Sequence, residues 1–149
     1  TTFSQEYKGN WKYNPLFKQY ELRNAYGGLE QTMKWNPLFH QWEFKSPSGA
    51  LEETNKWNPL LKQYEYRDPS GGVSRTQQWN DLLKQHEIKS PSGELEHTID
   101  YNKLFRQYEL KTPFYELDKT MKYNELFKQY DIYDYRIYKH PKKTEDEDD

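Results

Sequence analysis

Apolar and polar residues alternate along the chain in short bursts, and the bursts recur. WNPLLKQYEY from Trp57 is preceded by YNPLFKQYEL from Tyr13 and WNPLFHQWEF from Trp35. It is followed by WNDLLKQHEI from Trp79, YNKLFRQYEL from Tyr101 and YNELFKQYDI from Tyr123, each copy opening 22 residues after the last. A constant period without insertions is the mark of a repeat architecture, in which each unit is one supersecondary element that buries its apolar side against its neighbours. After each copy comes a turn by composition: NAYGG from Asn24, SPSGA from Ser46, DPSGG from Asp68, SPSGE from Ser90 and TPFYE from Thr112. Most of these supply proline early and glycine late, which suits a tight turn. A second segment then leads to the next aromatic, as in LEETNKW from Leu51 and LEHTIDY from Leu95. Each unit therefore holds two segments and two turns.

Taken as strands around a four-residue loop at Asn58 to Leu61, the segments pair Trp57 with Lys62. Lys56 then faces Gln63, Thr54 faces Glu65 and Glu52 faces Arg67 on one side, with Asn55 against Tyr64 and Glu53 against Tyr66 on the other. The same register sets Glu30 against Lys45 and Glu96 against Lys111, and Met33, Ile99 and Met121 against Trp42, Tyr108 and Tyr130. One register thus sorts the hairpins into a charged face and an aromatic face, and such cross-strand pairs contribute about 0.2 to 1 kcal/mol each. A helix-containing solenoid is the alternative, because Asn followed by Pro, Asp, Lys or Glu also opens a helix. Short segments interrupted by Asn-Pro and rich in Tyr, Trp, Thr and Ile favour strands. Leu and Phe remain unusual residues for a hairpin loop.

The expected fold is all-β: six 22-residue hairpins in an antiparallel meander, either an open elongated sheet or the same strands closed into a barrel. One repeat domain spans residues 1–140, with residues 1–6 as a frayed end or cap. The run Ile132 to Tyr138 reads as an extended final strand, and residues 141–149 as an acidic disordered tail.

Composition changes this picture in one respect. Only 33% of residues are hydrophobic, yet 17% are aromatic, mostly Tyr and Trp, so many residues are expected to be half buried and few fully buried. The net charge of -2 includes five acids in the last five residues. The rest of the chain mixes both signs within every repeat, unlike the basic stripe of a nucleic-acid binder. No apolar run is long enough for a membrane helix and no signal-peptide pattern is visible. With no cysteine there is no disulfide or thiolate chemistry. Compartment and oligomeric state stay open.

FKQYELRNAYGGLEQ from Phe17 and LKQYEYRDPSGGVSR from Leu61 run aromatic or Leu, Lys, Gln, Tyr, Glu, a turn ending in Gly, then an apolar residue and a charged strand. In that order the units resemble the MORN-type hairpin repeats. The resemblance implies a stacked-hairpin sheet and a non-enzymatic role in association.

The repeated residues also define candidate sites. An aromatic beside amides and a carboxylate is the chemistry that stacks on a sugar ring and bonds its hydroxyls. Four such sets are Trp35, Asn36, Gln41, Glu43; Trp57, Asn58, Gln63, Glu65; Trp79, Asn80, Gln85, Glu87; and Tyr101, Asn102, Gln107, Glu109. The competing reading makes the aromatics core, Asn a turn cap and Gln a ladder between hairpins. Every carboxylate has copies in equivalent positions, whereas catalysis needs one asymmetric constellation, and His40, His86, His97 and His140 follow no metal-site spacing. The expectation is a non-enzymatic, multivalent, lectin-like binding protein without cofactor or metal. The alternative is a protein-interaction scaffold; the partner is a glycan or a protein, not nucleic acid.

Overall fold

Among the described residues, twelve strands form where the sequence alternates and stop where the two kinds of turn interrupt it. The computed structural model describes residues 2–138. In chain order the strands are β1 (Thr2–Asn14), β2 (Gln19–Asn24), β3 (Leu29–Asn36), β4 (Gln41–Lys45), β5 (Leu51–Asn58) and β6 (Gln63–Arg67). They continue as β7 (Val73–Asn80), β8 (Gln85–Lys89), β9 (Leu95–Asn102), β10 (Gln107–Lys111), β11 (Leu117–Asn124) and β12 (Gln129–Tyr138). Each pairs antiparallel with its neighbours in sequence, and β1 pairs with β12, so the meander closes into a barrel. The closed form of the expected meander is therefore the observed one, and the open elongated sheet is not. Among the described residues, closure leaves no unpaired strand edge. Residues 2–6, expected to fray or cap, are the start of β1 and pair with the end of β12 from Thr2 opposite Tyr138 to Glu6 opposite Asp134. The predicted final strand is present as part of β12; the predicted acidic tail lies outside the described residues.

The register differs from the expected one by two residues. The loop is Pro59 to Lys62, closed by Asn58 opposite Gln63, so that Trp57 pairs with Tyr64, Lys56 with Glu65, Asn55 with Tyr66 and Thr54 with Arg67. Likewise Met33 faces Phe44, Ile99 faces Leu110, Met121 faces Ile132, and Lys45 and Lys111 face Thr32 and Thr98. The Asn side chain is the cause. Its Oδ1 accepts the backbone N–H groups of Leu60 and Leu61 at 3.0 and 3.2 Å, which coils the next residues into the turn and keeps Asn58 itself in the ladder. Because the side-chain period along a strand is two, a slip of two residues leaves every side chain on its expected face.

A bulge recurs once per unit at the opposite end, for example between Phe44 and Lys45 and between Tyr66 and Arg67. Each inserts one residue, bends the strand and increases its twist, which helps the sheet curl into closure. Contacts between strands that are not neighbours identify the concave face. Phe44 of β4 meets Trp11 of β1 at 6.5 Å and Tyr66 of β6 at 6.4 Å between ring centroids, so the aromatic face is the lumen. Twelve strands at about 4.8 Å spacing and about 40° tilt give a barrel about 24 Å across its backbone, too wide for side chains to fill completely. Among the described residues no hydrophobic side chain is fully buried, and the least exposed are Thr98 and Thr120 at 2%. Both face outward, covered by ladder neighbours that include Glu87 and Lys111 for Thr98, and Glu109 and Tyr133 for Thr120.

Candidate functional site

The lumen is layered, because equivalent positions of six hairpins lie at one height in a closed meander. At the end bearing the Asn-containing loops, each hairpin contributes a cross-strand aromatic pair. Ring centroids are 5.1 Å apart for Tyr13 and Tyr20, 5.5 Å for Trp35 and Trp42, and 4.9 Å for Trp57 and Tyr64. They are 4.9 Å apart for Trp79 and His86, and 5.0 Å for both Tyr101 with Tyr108 and Tyr123 with Tyr130. All six are edge-on or tilted, the preferred geometry of aromatic quadrupoles. Trp35, Trp57 and Trp79 remain 42 to 49% exposed, so this layer is a mouth rather than a sealed core.

Beneath the mouth lies a cavity of about 610 Å³, lined by Trp11, Trp42, Phe44, Tyr66 and Met33 together with Asn55, Gln77 and His86. A second cavity of about 400 Å³, lined mainly by Ile99, Leu110, Met121 and Ile132, occupies the other side and shares Gln77 and His86. The lumen thus has an aromatic half and an aliphatic half. Burial lowers the basicity of the His86 imidazole, and its Nδ1 is buried without a hydrogen-bond partner.

The third layer is polar. In successive units one lumenal slot holds Gln31, Glu53, Arg75, His97 and Lys119. Arg75 donates to both carboxylate oxygens of Glu53 at 2.8 and 2.9 Å, and its guanidinium lies 3.9 Å above the centre of the Tyr66 ring. This planar fork is bidentate and stacked, which a lysine could not reproduce. Burial pushes the Tyr66 hydroxyl above its usual pKa. Lys119 meets Asp134 at 2.7 Å and His97 stands 3.7 Å from Asp118.

The predicted site residues separate across the sheet. Trp35, Trp57, Trp79 and Tyr101 belong to the mouth. Asn36, Gln41 and Glu43 lie on the outer face with their equivalents Asn58, Gln63, Glu65, Asn80, Gln85, Glu87, Asn102, Gln107 and Glu109, since each is an odd number of residues from its aromatic partner along a ladder. The amides and carboxylates do meet one another. Asn58 Nδ2 and Gln63 Nε2 both donate to Oε2 of Glu65, each at 3.1 Å, and Arg67 donates to its Oε1 at 2.9 Å. The same triad joins Asn36, Gln41 and Glu43, and again Asn102, Gln107 and Glu109. The fourth set is incomplete: Asn80 donates to Glu87 at 3.1 Å, while Gln85 Nε2 is buried without a partner. The Gln hydrogen bond first, then those from Asn and from the Arg where present, hold the carboxyls of Glu21, Glu43 and Glu65 below their ordinary pKa against opposing desolvation. Asn caps the loop and staples the carboxylate in every hairpin, and Gln staples it in all but the fourth, so these groups have structural roles.

No family model matches the chain. No curated protein matches it either. Among solved structures, the chain is similar to an Arabidopsis thaliana protein determined by X-ray crystallography, with a TM-score of 0.64 at 11% identity, over 87% of this chain and 80% of that one. At that identity the likeness is one of fold.

The polar lumenal layer escaped sequence reading as a set, although Glu53 was placed on the aromatic face. The available signal was variation within a constant repeat: the slot changes from Gln to Glu, Arg, His and Lys while the Thr after it persists in every copy. Among the described residues no group of three or more His, Asp or Glu could hold a metal ion.

Proposed function

We propose that the protein is a non-enzymatic binding protein that takes one ligand through the aromatic mouth of its barrel. The carrying observation is the cavity of about 610 Å³ that reaches the mouth rings and is lined by aromatic faces with Asn55, Gln77 and His86 among them. Flat apolar faces with amide groups at their edges suit a saccharide, whose ring offers C–H faces for stacking and hydroxyls for the amides. The chemistry is that of the lectin-like reading, with one lumenal site in place of several composite sites. Multivalent recognition by separate hairpins finds less support, because each aromatic lies on the opposite face from its Asn, Gln and Glu. Support for a non-catalytic role comes from the repetition of the carboxylates in equivalent, hydrogen-bonded positions. A protein-interaction scaffold, which the resemblance to MORN-type repeats implies, is the second reading, favoured by apolar side chains exposed on the loops.

A saccharide array followed by titration of tryptophan fluorescence tests the first reading. The expected result is one ligand per barrel, with binding at least about tenfold weaker in Trp11→Ala and Trp42→Ala, which line the cavity, and unchanged in Gln63→Ala. Absence of any saccharide ligand, or binding indifferent to both tryptophans, sinks it.

A further inference from the structure

Each of the six loops around the mouth carries a leucine with no place in the fold. Leu16, Leu38, Leu60, Leu82, Leu104 and Leu126 are 79 to 91% exposed, and the residue after each, Phe or Leu, is more than half exposed. The loop does not require them: the turn is made by Asn Oδ1 accepting backbone N–H groups, which any side chain at those positions allows. The tips lie at one height around the barrel, so twelve apolar side chains form a single crown. Contiguous exposed apolar surface of this kind marks an interaction site.

The residue after the crown identifies the partner's charge. Lys18, His40, Lys62, Lys84, Arg106 and Lys128 all have φ between 52° and 53°, the left-handed region that glycine or asparagine occupies with least strain. At the opposite end of the barrel the chain places glycine at the positive-φ position in four of the five turns, at Gly27, Gly49, Gly71 and Gly93, with Tyr115 in the fifth. At the crown it accepts strain and keeps a basic residue in five loops and histidine in the sixth. Lys103 adds a further base in the loops, against Glu125 and Asp81, the latter paired with Lys84 at 2.8 Å; just below, on the outer face, Lys12, Lys34, Lys56 and Lys122 stand across the ladder from Glu21, Glu43, Glu65 and Asp131, so the net positive charge belongs to the loops. The far end mixes signs: Glu52, Asp68, Glu94, Glu96, Glu116 and Asp118 lie beside Arg23, Lys45, Arg67, Lys89 and Lys111 at the strand ends that lead into its turns.

We propose that the crown docks the barrel onto an anionic phospholipid surface. The leucines and phenylalanines enter the boundary between headgroups and acyl chains, the basic collar meets the lipid phosphates and carboxylates, and the far end, where acids and bases mix, points away. Coplanar tips match a flat bilayer. The outer wall below the collar is lined by Lys, Glu, Asn, Gln and Thr, the reverse of the apolar band on a membrane-spanning barrel, so insertion stops at the loops. A second copy is a poorer occupant: crown to crown brings like charges together, and crown to tail sets the collar against acids flanked by Arg23, Lys45, Arg67, Lys89 and Lys111 and offers the leucines exposed aromatics in two turns, at Tyr26 and at Phe114 with Tyr115. Docked this way, the mouth faces the headgroup layer.

The test is cosedimentation of the full chain with phosphatidylcholine vesicles containing about 30% phosphatidylserine, at roughly 50 and 500 mM salt. Binding is expected at low salt, weaker by at least about tenfold on pure phosphatidylcholine and at high salt. Leu60→Ser with Leu82→Ser, Leu16→Ser with Leu126→Ser, and Lys62→Glu with Lys84→Glu should each weaken it at least about tenfold, with urea midpoints confirming that the exposed changes leave the fold intact. Brominated acyl chains should quench the mouth tryptophans of the bound protein. Failure to bind anionic vesicles at low salt overturns the proposal, as does binding that ignores both leucine pairs. A dimer or larger species in solution that the leucine variants convert to monomer also overturns it, by making the crown a contact between copies.

Discussion

Replacing the strained basic residues of the crown by glycine should stabilise the barrel. An L-residue in the left-handed region costs about 1 to 2 kcal/mol relative to the right-handed one, and glycine returns about 0.5 to 1 kcal/mol of that through its greater freedom in the unfolded chain. The net gain is therefore about 0.5 to 1 kcal/mol per loop. Lys18, Lys62 and Arg106 sit in alternate loops, far enough apart around the rim for their effects to add, so the triple glycine variant should gain about 2 kcal/mol. For a chain of this length that raises the melting temperature by about 4 to 8 °C, and the urea midpoint rises in proportion without a change in slope. Alanine is the control: it removes the same charges but keeps a Cβ, so the triple alanine variant should stay close to the parent. If glycine and alanine variants are equally stable, the positive φ values carry no strain and the case for retained charge at these positions falls. The same glycine variant should bind anionic vesicles less well, separating what the loops do for folding from what they do for binding.

Two further outcomes follow from the geometry. Gly9→Ala should destabilise the barrel by about 3 kcal/mol or more, because a Cβ there would stand 1.9 Å from the backbone oxygen of Arg23 at the bulge where β1 meets β12; a urea midpoint within error of the parent would show that the seam can shift. Acid should unfold the protein through its outer carboxylates: Glu21, Glu43 and Glu65 have folded pKa values below their ordinary 4.5, so their stabilisation is complete above that pH and is lost as the pH falls through the lower folded values. His86, whose pKa is lowered from 6.5, acts with the same sign at higher pH, and a urea midpoint that stays flat from pH 7 to pH 3 would contradict both.

The strands were legible because period-two alternation and period-22 repetition reinforce each other, and the two faces were sorted correctly even though the register was not. The error came from the loop. Counting Asn58 as a turn residue ignores that an Asn side chain can shape the following backbone while its own peptide stays in the ladder, as the Oδ1 contacts to Leu60 and Leu61 show. Closure was legible only as an alternative, because hairpins that pair in either an open or a closed sheet satisfy the same alternation. The first strand decides it: TTFSQEYKGNWKYN lacks the repeated motif over its first half, yet β1 runs for 13 residues, long enough to span both β2 and the extended β12.

The candidate site was harder to see for a related reason. Neighbours in sequence, such as Trp57 and Asn58, sit on opposite faces of a strand, so a motif that looks like one site divides between lumen and outer wall. What the closed fold gathers instead are residues 22 apart, which sequence reading compares for likeness and not for contact. The identical slots build walls: Asn caps, Gln and Glu staple, and the aromatics ring the mouth. The slots that vary, from Gln31 through Glu53, Arg75 and His97 to Lys119 and from Met33 through Asn55, Gln77 and Ile99 to Met121, are where like hairpins become unlike inside a common lumen, and a ligand reaching that depth would find only one orientation equivalent to itself. The barrel's repetition therefore supplies the scaffold and the crown, while any discrimination among lumenal ligands rests on the few positions where the repeat is broken.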